Sequence, residues 1–333
     1  MAITLLYGCC QIETTTPNLA ETREFFINGL GAGPIEQVLA KQIDGIAPGT
    51  RYGCDHLGLG EAVFQINQPD PDMIFNGHKS IHQAYLDRVG PSVTNLNFFV
   101  DDFAHARGLL AGMGAETFID GPSSAARALA DYGPDNTRPG GDERPFLFLG
   151  SRHLIGLDLE IMEPNFLRFI DQTAQYPAYV QPRPRTGDDN LVVERLRIAV
   201  ADIEQTYTHL LNLFTPGCRS KAYSYRAGPQ GRAFHIWLGG IEIEYCQPTS
   251  ARGALAATLD RDGPGVIAID FGAADLDAVL AHCEDRVQIQ DEPDWLGLED
   301  NSMPRRMICS RAKTGFDTVV GAMGEHPFPT LAA

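Results

Sequence analysis

The run Leu157-Asp-Leu-Glu-Ile-Met162 sets Asp158 and Glu160 two residues apart. Successive side chains of a strand point to opposite faces, so both carboxyls fall on one side, about 7 Å apart along the chain. Two acids that close repel when ionised, and partial burial disfavours the charge further. That combination raises a carboxyl pKa toward the range where it works as a general base. On this reading Glu160 is the base and Asp158 its neighbour. The same alternation gathers polar groups in three other runs. Gln11 and Glu13 oppose Ile12 and Thr14, and Gln65 and Asn67 oppose Phe64 and Ile66. Asn95, Asn97 and Phe99 oppose Leu96 and Phe98. Solvated sheet faces carry many Lys and Thr side chains, whereas this set is amide and carboxylate with no Lys or Arg. Such groups suit a pocket with defined hydrogen bonds, able to hold and polarise a carbonyl or enolate oxygen. The expected substrate-binding set is therefore Gln11, Glu13, Gln65, Asn67, Asn95, Asn97 and Phe99.

Two of the nine histidines join it. His153 precedes the strand of Asp158 and Glu160 and is a catalytic candidate, a proton shuttle at the rim of the pocket. His56, on a middle strand, is a candidate hydrogen-bond donor to substrate. His78 and His82 have the i, i+4 spacing of a helical metal pair but no third ligand close in sequence, and that spacing equally describes a solvated helix face. The seven cysteines are odd in number, scattered and without a C-x-x-C pair, which reads as reduced, buried thiols. No glycine-rich nucleotide fingerprint, phosphate-binding loop or serine-hydrolase elbow occurs.

Four stretches of chain could carry these residues, each an alternating strand, a short turn and an amphipathic helix. They start at Gln11, Asn95, Arg195 and Ala268. Asn18, Asp102, Asp202 and Asp275 stand where each helix begins, placed to accept its free backbone N–H groups. A later strand closes each unit, ending in Pro69, Pro164 and Pro248 in the first three. Each unit is thus β-α-β-β-β. The fold class expected is α+β, four βαβββ modules paired into two curved mixed β-sheets with helices on the convex face. The first paired domain spans residues 1–170 and the second 191–333. The segment between them, 171–190, is rich in Pro and charge and reads as a linker. Two insertions, 120–145 and 285–304, read as long loops.

The whole chain has 333 residues, with 26 Lys plus Arg against 43 Asp plus Glu and a net charge of −17. That balance repels a phosphate backbone, so neither nucleic acid nor an anionic membrane is an expected partner. No run approaches the roughly 18 apolar residues of a membrane span, and the start of the chain lacks a signal-peptide pattern. A cytoplasmic protein with a small-molecule substrate is expected, and a homodimer is left open.

The repeated unit, with its strand–turn–helix opening and x-E-x-x-x-P closing strand, resembles the vicinal oxygen chelate superfamily, which includes glyoxalase I, bleomycin-resistance proteins and extradiol dioxygenases. The resemblance implies that two units share one curved sheet with the site on its concave face. It places the family's ligand positions at Gln11, Gln65, Asn95 and Glu160, a set through which a divalent metal is possible but which carries only one charge. In the second pair the matching positions are Arg195, Glu244, Ala268 and Val319, without the two histidines of an iron dioxygenase. Arg195, Arg197, Glu242, Glu244 and Asp270 share that inner face, as a self-neutralising network or a carboxylate-binding pocket. The resemblance implies a non-redox isomerase or lyase acting on a small oxygenated, aromatic-derived molecule. The alternatives are a sequestering protein of the bleomycin-resistance type and, third, a metal-dependent dioxygenase.

Overall fold

The computed structural model describes residues 2–5, 11–34, 52–60, 62–72, 74–75, 78–120, 146–162, 191–214, 226–239, 241–296 and 305–322. The expected linker, nearly all of the first long insertion and residues 297–304 of the second lie outside these residues.

The first unit runs β1 (Gln11–Thr15), α1 (Leu19–Asn28), β2 (Gly33–Pro34), β3 (Gly53–Leu59) and β4 (Ala62–Gln68). A small hairpin, β5 (Ile74–Phe75) and β6 (His78–Lys79), and helix α2 (Ile81–Val89) lead to the second unit. That unit is β7 (Ser92–Phe99), α3 (Phe103–Gly112), β8 (Glu116–Asp120), β9 (Phe146–Gly150), the one-turn α4 (Arg152–Ile155) and β10 (Asp158–Met162). The second half repeats the order: β11 (Leu191–Ala199), α5 (Ile203–Phe214), β12 (Arg226–Ala227), β13 (Gly231–Leu238), β14 (Ile241–Pro248) and α6 (Ala254–Asp262). Then come β15 (Gly265–Ala273), α7 (Leu276–Glu284), β16 (Ile289–Asp291), β17 (Arg306–Ile308), α8 (Arg311–Thr314) and β18 (Asp317–Ala322).

The helix starts follow the sequence signal. The Asn18 side chain accepts from Glu21 N–H, Asp102 from His105 N–H, Asp202 from Glu204 and Gln205 N–H, and Asp275 from Ala278 N–H. Each satisfies donors that a helix leaves open at its first turn.

Units pair in chain order. One eight-stranded sheet reads β2-β3-β4-β1-β7-β10-β9-β8 and the other β12-β13-β14-β11-β15-β18-β17-β16. In each, the two opening strands meet antiparallel at the centre, and each closing strand lies parallel to its own opening strand. The architecture is the α+β arrangement of four βαβββ units that the pattern calls for.

The apolar faces of both sheets merge into one core. Ile12, Phe64, Leu96 and Leu159 of the first join Leu196, Ile243, Ile269 and Val320 of the second, with Phe26 of α1, Leu110 of α3, Leu210 of α5 and Val279 of α7 over them. Phe64 stacks on Phe271 and Phe316, with ring centroids 6.4 and 5.8 Å apart. Close approach explains two glycines that end the one-turn helices at matching places. A Cβ on Gly156 (φ 74°) would meet Ile198 at 2.7 Å, and one on Gly315 (φ 90°) would meet the Ser92 backbone at 2.8 Å.

Helices α2 and α6 lie on the other side, against the polar faces. This is a departure from the sequence reading, which placed helices on one face only. Thr15 Oγ1 donates to the His82 carbonyl at 3.2 Å and Tyr85 donates to Asp158, while Leu255 of α6 packs on Ala199, Cys246, Ala268 and Val319. No helix among the described residues is long and apolar enough to cross a membrane.

Candidate functional site

Strand register decides which polar side chains meet. Across the first sheet one row reads His56, Gln65, Glu13, Asn95 and Asp158 on β3, β4, β1, β7 and β10. The next row reads Gln11, Asn97 and Glu160 on β1, β7 and β10. The pairing of β1 with β7 shifts between Glu13 and Thr14, a bulge at Thr94 of the kind that re-aims neighbouring side chains.

A directed chain of hydrogen bonds crosses these rows. Thr94 Oγ1 donates to Asn95 Oδ1 at 2.8 Å, and Asn95 Nδ2 donates to Asn97 Oδ1 at 2.6 Å. Asn97 Nδ2 then donates to Gln11 Oε1 at 2.7 Å and Glu13 Oε1 at 2.8 Å. From the other side His56 Nε2 meets Gln65 Oε1 at 3.0 Å, Gln65 Nε2 donates to Asn67 Oδ1 at 3.3 Å, and Asn67 Nδ2 donates to Glu13 Oε2 at 3.4 Å. Tyr52 adds a bond to Asn67 at 2.7 Å, and His82 Nε2 stands 3.5 Å from Glu13 Oε2.

Both chains end on one carboxylate. Glu13 and Glu160, diagonal neighbours across Asn97, are hydrogen bonded to each other, and burial is the main force on each. Glu13 is 1% exposed and Glu160 6%. Desolvation raises the Glu13 pKa to about 7, against the opposing pull of the bonds from Asn97, Glu160 and Asn95. Glu160 rises well above its ordinary value through burial, the charge of Glu13 and the bond to Glu13. The donors converge on Glu13, so Glu13 is the ionised member and Glu160 keeps the proton.

This changes the neighbour of Glu160. Sequence alternation paired it with Asp158, which the structure instead binds to the Tyr85 hydroxyl and, at 2.8 Å, to the Arg152 backbone N–H. The Arg152 guanidinium lies 4.7 Å above the Tyr85 ring. Burial raises the Asp158 pKa, with the Tyr85 bond and Arg152 opposing. Asp158 therefore has a hydroxyl and a cation beside it that come from helices, not strands. His153 of α4 is exposed, because the turn directs Arg152, Leu154 and Ile155 inward. His56 is fully buried rather than at a rim, and desolvation lowers its pKa to about 4. Phe99 is buried at the end of β7 beside Met162.

Tyr52, Cys54, His82 and Tyr85 of this region were not on the expected list. The His78/His82 spacing is not a solvated helix face, because His78 begins a hairpin strand and His82 turns into the sheet, 5% exposed, with burial holding its pKa at about 3. Ser80, whose side chain caps α2 through Gln83 N–H at 3.1 Å, was the available signal for where that helix starts.

The second sheet brings Arg195, Arg197, Glu242, Glu244 and Asp270 together as placed from the sequence. Arg197 meets Asp270 at 2.8 Å, Glu244 at 3.4 Å and Glu292 at 2.6 Å, and Arg195 meets Glu242 at 2.9 Å. His235 bridges Glu242 at 2.6 Å and Glu244 at 3.2 Å. The opposite charges outweigh burial for Glu244, whose pKa falls well below its ordinary value under Arg197, the His235 bond and Arg195.

The fold resembled implies a metal in such a cup. In the second sheet guanidinium groups fill the face where a cation would sit, and the residues do not fit one. In the first, the expected set Gln11, Gln65, Asn95 and Glu160 spans two rows. The acids there are already bonded to each other, and amide N–H groups point at Glu13. Among the described residues no three His, Cys, Asp or Glu side chains converge to hold a metal ion.

No family model and no curated protein matches the sequence. Solved structures do. A mutant of 4-hydroxymandelate synthase from Streptomyces coelicolor aligns over 97% of this chain and 95% of its own, with TM-score 0.60 and 17% identity. A xylose isomerase-like TIM barrel/4-hydroxyphenylpyruvate dioxygenase fusion protein aligns over 98% of this chain and 51% of its own, with TM-score 0.54 and 12% identity. BphC, a halotolerant catechol dioxygenase, aligns over 98% and 90%, with TM-score 0.51 and 13% identity. These likenesses establish the vicinal oxygen chelate fold for this chain. At such identities they speak for fold alone.

Proposed function

We propose that this chain is an isomerase or lyase of the vicinal oxygen chelate fold that moves a proton on the carbon beside a carbonyl, without net redox change, in the first cup. The observation that supports this is the buried Glu13–Glu160 pair inside an amide network whose donors converge on Glu13, which favours charge on Glu13 and the proton on Glu160. Glu13 takes the carbon-bound proton, the C–H electrons move onto the carbonyl oxygen, and Glu160 delivers its proton to that oxygen. Return of a proton from Glu13 to carbon, with the enol O–H proton passing back to Glu160 as the carbonyl re-forms, completes the cycle. The sequence reading gave the base's role to Glu160. The donors gathered on Glu13 favour the reverse assignment, with Glu160 as the acid. Gln11 and Asn97 hold the pair in place, and near-complete burial keeps water from competing.

The structural neighbours include dioxygenases, but the arginine–carboxylate lattice of the second cup gives iron no ligand set here. Cys54, Cys246 and Cys283 are buried thiols outside any disulfide, which fits a reducing, cytoplasmic setting.

Deuterium uptake into small carbonyl compounds in heavy water, followed by proton NMR, tests the proposal. Wild-type protein should exchange the carbon-bound hydrogen of at least one compound, and Glu13→Gln should lose that exchange. Tight binding of a compound with no exchange would point to a sequestering protein instead.

A further inference from the structure

We infer that the first cup takes an uncharged carbonyl compound and rejects one that brings a carboxylate or phosphate to the Glu13–Glu160 pair. The inference rests on the proton-transfer reading and adds a substrate class to it.

A carboxylate pair sharing one proton carries one net negative charge. The side chains that meet Glu13 include Asn67, Asn97 and His82; Gln11, Asn95, Gln65 and Tyr52 are bonded to those amides, and His56 lies beyond Gln65. Burial lowers the pKa of both imidazoles, to about 4 for His56 and about 3 for His82, so neither supplies positive charge near neutral pH. Among the described residues, cations held near this sheet make their contacts elsewhere. Arg152 donates to the Pro264 carbonyl and lies over Tyr85, Arg88 lies 5.2 Å over the same ring, and Arg23 is 2.6 Å from Asp55 on the opposite face of the sheet. Among the described residues neither Glu13 nor Glu160 has an ion pair with Lys or Arg. A second negative charge about 4 Å from the pair, at an effective dielectric near 20, weakens binding by about a thousandfold. A neutral ketone meets no such penalty, and it can accept the Glu160 proton through its carbonyl oxygen.

The second cup makes the contrast physical. An anion there would have to displace carboxylates already seated on Arg195 and Arg197, so neither cup is built to receive one.

Matched probes test this on the full chain: hydroxyacetone against hydroxypyruvate and dihydroxyacetone phosphate, read by carbon-bound hydrogen exchange and by the shift in Tm on binding. Hydroxyacetone should exchange at least a hundredfold faster per unit concentration than either anion and should alone raise Tm. Glu13→Gln leaves the cup with protonated Glu160 and no net charge, so hydroxypyruvate should then raise Tm as hydroxyacetone does. Exchange that favours the anions overturns the charge inference and leaves the proton-transfer reading standing. If nothing exchanges while only the uncharged probe raises Tm, the proton-transfer reading falls and the charge inference stands. Discrimination against the anions that Glu13→Gln leaves unchanged also overturns it.

Discussion

Where β1 places Glu13, the equivalent strand β11 places Arg197, and where β10 places Glu160, β18 places Val319. Asn97 becomes Asp270 and Asn95 becomes Ala268 at corresponding register positions. Even the bulge recurs, with Ile267 in the second sheet where Thr94 stands in the first. The same backbone thus meets the cost of burying acids in two ways. The second cup surrounds Glu194, Glu242, Glu244, Asp270 and Glu292 with Arg195, Arg197, Arg305 and His235, so its charges nearly cancel. The first cup uses amide donors and a retained proton. A charge satisfied by a fixed counter-charge is inert, whereas a proton held between two carboxyls can be exchanged. That difference is why we propose a structural role for the second cup and chemistry for the first.

The covering helices follow the same division. Helix α6 is fastened by an apolar cluster of Leu255, Trp295, Leu296 and Met307. Helix α2 has only Ile81, Tyr85 and Val89 in its own cluster, and otherwise rests on polar contacts to the first sheet. The looser helix lies over the cup that needs access.

The largest effect should separate the cups by activity. Glu13→Gln and Glu160→Gln should each slow hydrogen exchange by roughly 10²–10⁴-fold while the far-ultraviolet spectrum stays native. Glu244→Gln should leave exchange within a few fold. The reverse pattern would move the chemistry to the second cup. Next in size, Arg197→Met strands Asp270, Glu244 and Glu292 and should cost about 3–5 kcal/mol in urea unfolding, whereas Glu13→Gln should leave stability unchanged or raised.

A pH series sharpens the same contrast. Glu13 binds its proton more tightly folded than unfolded, so its contribution favours the fold at low pH and is lost as pH rises from about 4.5 to about 7. His56 and His82 act oppositely, with lowered folded values of about 4 and about 3. Their cost disappears as pH rises toward the ordinary histidine value. Glu160, whose pKa is also raised, adds a second loss of the Glu13 kind, so two acids and two imidazoles offset one another and wild-type Tm should change little between these limits. Removing the acid unmasks the histidines, so Glu13→Gln should show Tm climbing through the same window, by an amount equivalent to about 3 kcal/mol. Parallel curves for both proteins would contradict the raised Glu13 pKa. The smallest expected effect is at the cover: Tyr85→Phe should cost about 1–2 kcal/mol and speed amide exchange in 81–89 more than in 254–262.

Much of this was legible from alternation and caps. Period-2 patterning put Gln11, Glu13, Asn95, Asn97, Asp158 and Glu160 on one face, and Asn18, Asp102, Asp202 and Asp275 marked helix starts that the structure keeps. Register was not legible, because nothing local says that Glu13 and Glu160, so far apart in the chain, become diagonal neighbours across Asn97. The Thr94 bulge lies in that same pairing and leaves no pattern in a single strand. Groups delivered by covering helices were also out of reach. Tyr85 and Arg152 find Asp158 only because α2 and α4 fold back beside β10, so spacing along the strand misnamed the neighbour of Glu160. In the second half the strands alone carry most of the ion pairs, which is why that network could be read in advance.

The central claim is that the first cup keeps a carboxyl proton near neutral pH and the second does not. Infrared difference spectra in light and heavy water report it directly, through the carbonyl stretch of a protonated carboxyl. At pH 8, above the Glu13 value of about 7, a band assigned to a buried carboxylic acid should be present in the wild type and in Glu244→Gln, and should disappear in Glu160→Gln. A wild-type spectrum without that band, or a band that survives Glu160→Gln and vanishes in Glu244→Gln, would contradict the account.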